Sequence, residues 1–271
     1  MTPALPPGSC DAHCHIFGPT DVFPYAAGRT FTPPEAPKED LQRLHRKFGF
    51  ERAVIVQSAC HGTDHSAMLD ALASGDYRGV ALVTPETPDA EIARLHEAGV
   101  RGARLHFLPH LGPAPSAETI RAIVAKIAPY DWHIALHVAG NGIAEHEEMV
   151  RGLGLTVVVD HMARVDLRAG LDSEAVTALR RLLDSGDVWV KLSGADRLAT
   201  APPSLEDSAA LMRLLVDHAP ERVVWGTDFP HPNTHGFLPD DGDLVDVLAE
   251  LSAEELRRLL VENPARCFGF A

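Results

Sequence analysis

Near the N-terminus, the run Asp11-Ala12-His13-Cys14-His15 sets two imidazoles two residues apart. Residues two apart on a strand share a face, so His13 and His15 are expected together, with Ala12 and Cys14 on the other side. Two imidazoles at a strand end make half of a metal site or a clamp for an anion. A lone His-x-His carries little weight, but other polar residues are placed in the same way. His137 ends a later apolar run, and His161 and Asp228 each follow one. Arg104 and His106 share one face of another, Ser58 follows Val-Ile-Val-Gln, and Arg197 lies past Val188–Leu192.

Those polar residues punctuate a regular alternation. β-branched runs at Ser9–His13, Ala53–Gln57, Gly79–Val83, Gly102–Phe107, Ile134–Val138, Thr156–Val159, Val188–Leu192 and Val223–Gly226 read as strands. Helical periodicity fills the intervals at Lys38–Phe48, Ser66–Ala73, Asp89–Ala98, Ala117–Ile127, Ala144–Leu153, Ser173–Asp184 and Leu205–His218. It returns at Asp241–Leu251 and Ala253–Leu260. Eight strands, each followed by a helix, predict an α/β fold: a single (β/α)8 TIM barrel domain over residues 1–271, with its active site at the C-terminal mouth. There the polar strand ends converge, and ionisable groups gathered in a confined mouth are costly unless they are used. Residues 18–37, with five prolines and two glycines, are too irregular for either element and are expected to form a lid-like loop over that mouth.

The composition agrees with a soluble globular chain: 271 residues, 45% hydrophobic and 23% charged. No apolar stretch approaches the ~18 residues of a membrane span, and the N-terminus lacks the pattern of a secretory signal, so a cytoplasmic location is expected. A net charge of −14 argues against nucleic acid as a partner. It also means that an anionic substrate needs a local cluster of arginines. Cys10, Cys14, Cys60 and Cys267 form no CxxC pair and read as free thiols. His231 and His235, in the Pro-rich loop after Asp228, read as loop structure or pocket rim. His45, His96 and His218 read as surface or satisfied histidines.

The chain resembles the amidohydrolase superfamily, whose signature is His-x-His on strand one, His on strands five and six, and Asp on strand eight. Within it the chain is similar to the 2-pyrone-4,6-dicarboxylate hydrolases and related lactonases. The likeness is carried by Asp11–Pro19, Gln57–Asp64, Val159–Met162, Asp187–Lys191 and Trp225-Gly226-Thr227-Asp228-Phe229-Pro230-His231-Pro232. It implies hydrolysis of a small anionic carboxylated lactone in aromatic catabolism. Asp228 would activate water, and His13, His15 and His161 would orient it and polarise the carbonyl. Ser58, Arg104, Arg197 and Tyr25 would bind the substrate.

Two positions depart from the pyrone hydrolase pattern. His110 stands where that pattern has a second arginine, which weakens the grip on a second carboxylate and makes His110 the substrate-binding residue there. His137 stands where it has a tyrosine, and restores the metal-ligand set of the wider superfamily: His13, His15, His137 and Asp228. One divalent ion, zinc or manganese, is therefore expected, with a metal-free mechanism as the close alternative. A metal-dependent decarboxylase and a sugar-acid lactone isomerase or hydrolase are the competing activities. Oligomeric state leaves no trace in the sequence.

Overall fold

The computed structural model describes residues 3–234 and 236–271. Eight strands form one sheet in chain order: β1 Cys10–Cys14, β2 Arg52–Val56, β3 Asp76–Ala81, β4 Val100–His106, β5 His133–His137, β6 Val157–Val159, β7 Val188–Lys191 and β8 Val223–Val224. Every neighbouring pair is parallel. The two ends of the sheet meet, because the Ala12 N–H donates to the Trp225 carbonyl at 2.9 Å and the Asp228 N–H to that of His13 at 2.8 Å. The fold is the expected (β/α)8 TIM barrel.

The seam needs a glycine. A Cβ at Gly226 would lie 2.4 Å from the backbone nitrogen of His13, so any side chain there would push β1 away from the segment after β8.

The helices are α1 Lys38–Phe48, α2 Ser66–Leu72, α3 Asp89–Glu97, α4 Ala117–Ile127, α5 Gly142–Glu145, α6 Glu147–Arg151 and α7 Glu174–Leu183. They continue with α8 Ala195–Leu198, α9 Glu206–His218, α10 Asp241–Asp246, α11 Ala253–Arg257 and α12 Asn263–Phe268. Local chemistry sets several ends. Ser116 caps α4 by accepting from the Thr119 N–H, Ser252 and Glu255 form a reciprocal capping box on α11, and Gly49 ends α1 in the left-handed region.

Three expected helices differ. The one predicted at Ala144–Leu153 is two short helices meeting at His146. The one predicted at Asp241–Leu251 tightens into a 3-10 turn after Asp246. The last runs on beyond Leu260 through a π turn at Arg258–Glu262 into α12, where Pro264 has no N–H to continue the regular ladder.

Two apolar layers sandwich the sheet. Outward side chains such as Ile55, Leu105, Ile134 and Val190 pack against the helices. Inside the barrel, Cys10, Ala12, Val54, Val56, Val80, Ala135, Val158 and Val224 pack together, and Phe268 and Phe270 from the C-terminus join them. Ala12 therefore faces the interior, contrary to the alternation expected from the sequence. The pairing of β1 with β2 slips between Asp11 and Cys14, and the irregularity changes the face, so His13 and His15 point inward while Cys14 packs outside.

Residues 18–37 leave and rejoin at an antiparallel bridge between Phe17 and Ala36. Phe31 and Tyr25 of this loop pack on Phe17 and Cys60. All four cysteines are free. No helix among the described residues is long and apolar enough to cross a membrane.

Candidate active site

A cavity opens at the C-terminal mouth of the barrel. His15, Ser58, Arg104, His106, His110, His137, His161, Arg197 and Asp228 line it, together with Phe31, Arg164 and Asn233. The strand ends and the segments that follow them supply these side chains, Arg197 from α8 and His110 from a 3-10 turn at Pro109–Leu111, and two predicted residues are placed elsewhere. His13 is fully buried just beneath the cavity floor. Tyr25 stands outside it: the ring packs on Phe17 and His61, and the hydroxyl reaches the Pro33 carbonyl at 3.5 Å. Phe31, and not Tyr25, is the lid residue that reaches the cavity.

At the floor, Asp228 is 1% exposed and its two oxygens have different surroundings. Oδ2 accepts from Arg197 Nε at 2.6 Å. Oδ1 has no hydrogen-bond partner, and imidazole nitrogens surround it: His15 Nε2 at 3.4 Å, His13 Nε2 at 3.6 Å and His161 Nε2 at 3.8 Å. Burial alone would raise its pKa, but the Arg197 guanidinium outweighs burial and holds the carboxyl well below the usual range. Arg197 is held in turn by the Pro232 carbonyl at 3.0 Å.

Each histidine is oriented from behind. His15 Nδ1 lies 2.7 Å from the Val56 carbonyl, and His161 Nδ1 lies 2.9 Å from Ser193 Oγ. His13 Nδ1 faces Lys191 Nζ at 3.2 Å and Asp160 Oδ1 at 3.3 Å. Burial lowers the pKa of His161 to about 3 and pushes that of His13 well below the ordinary value, so both imidazoles are neutral. Asp160 also accepts from Arg104 Nε at 2.8 Å, which fixes that guanidinium at the cavity wall. Lys191 and Arg104 overcome the effect of burial and hold the Asp160 carboxyl well below its usual range.

Arg164 escaped the sequence reading. It lies three residues after His161 in a segment where His161, Met162, Ala163 and Arg164 all have positive φ, between 45° and 58°. One left-handed turn of non-glycine residues costs about 1–2 kcal/mol per residue, and such strain concentrates at functional sites. Here it turns both His161 and Arg164 into the cavity. Asp228 itself, at φ 62°, is held the same way. Nothing in the residue types of Asp160–Arg164 signals this backbone.

On the facing wall, His137 Nδ1 lies 3.3 Å from His106 Nδ1. Burial lowers the pKa of His106 to about 3 and pushes that of His137 well down. Ligand atoms of His13, His15 and Asp228 all lie within 4.8 Å of one another, and His137 does not join this group. With the orphaned Asp228 Oδ1 among them, two imidazoles and a carboxylate fit a divalent ion such as zinc.

A second buried group, Asp11, Cys14 and His45, lies below. Its carboxylate is already satisfied by the Thr227 hydroxyl at 2.6 Å, the Thr227 N–H at 2.9 Å, the His13 N–H at 3.2 Å and His45 Nε2 at 3.2 Å. His45 is thus part of a structural network. His231 anchors its loop by pairing with Asp241 at 3.1 Å, whereas His235 lies outside the described residues.

The family model described as Amidohydrolase matches residues 10–270. A 2-pyrone-4,6-dicarboxylate hydrolase of Comamonas testosteroni is 41% identical over 277 residues, covering 97% of this chain and 91% of that protein. A 4-sulfomuconolactone hydrolase of Hydrogenophaga intermedia is 38% identical over 275 residues, covering 98% and 90%. An apo crystal structure from Agrobacterium tumefaciens superposes with a TM-score of 0.88 at 29% identity, covering 99% of this chain and 98% of that one.

Proposed function

This chain belongs to the amidohydrolase family, and from that premise we propose that it hydrolyses a small anionic lactone, of the 2-pyrone-4,6-dicarboxylate or muconolactone type. The two lactone hydrolases among its relatives support the reaction class. The observation that carries the reading is the state of Asp228: one oxygen is tied to Arg197, and the other is buried, unpartnered and ringed by imidazoles on the floor of an arginine-lined cavity.

In this reading, water sits against Asp228 Oδ1 and gives up its proton there as it attacks the ester carbonyl. The proton then passes to the departing enolate or alkoxide oxygen. Negative charge develops on the carbonyl oxygen, and N–H donors aimed at it supply the main stabilisation, about 3–4 kcal/mol for each well-placed donor. His161 and Arg197 border that position, with His13 and His15 orienting the water from below. Arg104, Arg164 and His110 line the walls where the substrate's acidic group would lie, with Ser58 beside them. A divalent ion, zinc or manganese, would be held by His13, His15 and Asp228, and would lower the pKa of bound water and polarise the carbonyl.

The test is an ultraviolet assay of ring opening with 2-pyrone-4,6-dicarboxylate and with 4-sulfomuconolactone, before and after zinc addition. Loss of lactone absorbance with either supports the reading, and Asp228→Asn should then lower kcat at least 10³-fold with an unchanged circular dichroism spectrum. Folded protein inert on both lactones, or an active Asp228→Asn variant, would overturn it.

A further inference from the structure

Lys191, at the end of β7, is 0% exposed and takes no part in the steps above. Its ammonium lies 3.2 Å from His13 Nδ1, 3.2 Å from Asp160 Oδ1, and 5.9 Å over the ring of Phe268, which closes the barrel beneath it.

The hydrogen bonds that run on from Lys191 have a direction. The Val56 carbonyl can only accept, so His15 donates to it from Nδ1. An ammonium can only donate, and the bond at His13 Nδ1 is to the Lys191 ammonium, while His13 Nε2 faces His15 Nε2 at 3.3 Å. A neutral imidazole has one N–H. His13 Nδ1 is therefore an acceptor, and Lys191 is the donor that meets it. The other group near Nδ1, Asp160 Oδ1, is farther off at 3.3 Å and pairs with the Lys191 ammonium at 3.2 Å.

We propose that Lys191 is a positioning residue: by donating to His13 Nδ1 it holds the proton of His13 on Nε2, inside the histidine cluster, and so disfavours a divalent cation there. A cation bound by His13, His15 and Asp228 requires lone pairs on both inward Nε2 atoms. To load the site, the His13 proton must move to Nδ1, where Asp160 Oδ1 can accept it, and Lys191 must surrender its bond. Without the ammonium, Asp160 becomes the natural partner of His13 Nδ1–H, and His13 becomes a ligand. Lys191 is thus a built-in counterweight to metal occupancy in a cluster whose donor atoms otherwise suit it.

Nitrogen-15 NMR of histidine-labelled full-length protein, dialysed against a chelator, reads the tautomer directly, with the His13 signals assigned by their loss in His13→Asn. Wild type should show His13 protonated on Nε2. Lys191→Met should show it protonated on Nδ1, and should bind zinc 10–100-fold more tightly in a competition titration, the range expected when a residue behind a metal ligand is changed. Lys191→Arg keeps a donor and should behave as wild type in both measurements. A wild-type His13 protonated on Nδ1 would overturn the proposal, as would equal zinc affinity in wild type and a folded Lys191→Met. If Lys191→Met does not fold, the wild-type spectrum and Lys191→Arg still decide. No lactone is used, so this outcome is independent of the substrate reading.

Discussion

Asp228 owes its character as a base to the unequal treatment of its two oxygens. Arg197 secures one and keeps the group ionised despite burial, while the other is left without a hydrogen bond among three imidazoles. Arg164 is the complementary case, a guanidinium turned into the cavity by strained backbone. Burial, and then Arg197, lowers its pKa, so a substrate anion would relieve an uncomfortable charge. Arg164→Met should therefore raise KM for an anionic lactone about 10–100-fold, the value of one charge-assisted hydrogen bond, with a smaller change in kcat. Steady-state kinetics with the lactone turned over by wild type checks this.

At the scale of elements, the seam between β1 and the segment after β8 does most of the positioning. Gly226 lets the two segments touch, and Asp11 ties them by accepting from Thr227 twice and from the His13 N–H. The seam joins the elements that carry His13 and Asp228. Asp11→Ala leaves several buried donors unpaired and should cost about 3–5 kcal/mol in urea unfolding. The loop after Asp228 is held by His231, whose pKa is raised: burial opposes this, but the Asp241 bond and the charge of Asp228 prevail. A raised folded-state pKa gives stability that is fully present below the unfolded value of about 6.5 and is lost as pH climbs through the folded value. The difference in Tm between wild type and His231→Asn should therefore be largest near pH 6 and shrink towards pH 9.

Across the whole molecule, polarity rises along the barrel axis. Phe268 and Phe270 sit among apolar interior residues, Lys191, Asp160 and Arg104 come next, and the histidines and Asp228 form the mouth. The charged middle layer is tolerable because its members pair with one another and because the aromatic plug keeps water from below. Phe268→Ala should cost about 3–5 kcal/mol and lower Tm accordingly, since the plug is 1% exposed and its removal leaves a cavity under Lys191. Against a net charge of −14, the arginines at the mouth create a local positive well for an anion.

The barrel and most of its mouth were legible in the chain alone, because period-two and helical patterns repeat eight times and each polar strand end is set off by apolar neighbours. For His15, Ser58, Arg104, His106, His137, His161, Arg197 and Asp228, position on or just after a strand was enough to place the side chain at the cavity, whereas His110 was found only through the family resemblance. Three things depended on contacts between distant residues. The slip in β1 pairing, which turns His13 inward beside Ala12, depends on how β1 meets β2. The left-handed turn that aims Arg164 contains no glycine to announce it. The bond that sets the proton of His13 joins β1 to Lys191 at the end of β7. Residue type and spacing decide which groups reach the mouth; which nitrogen holds a proton there is decided by neighbours that only the closed barrel brings together.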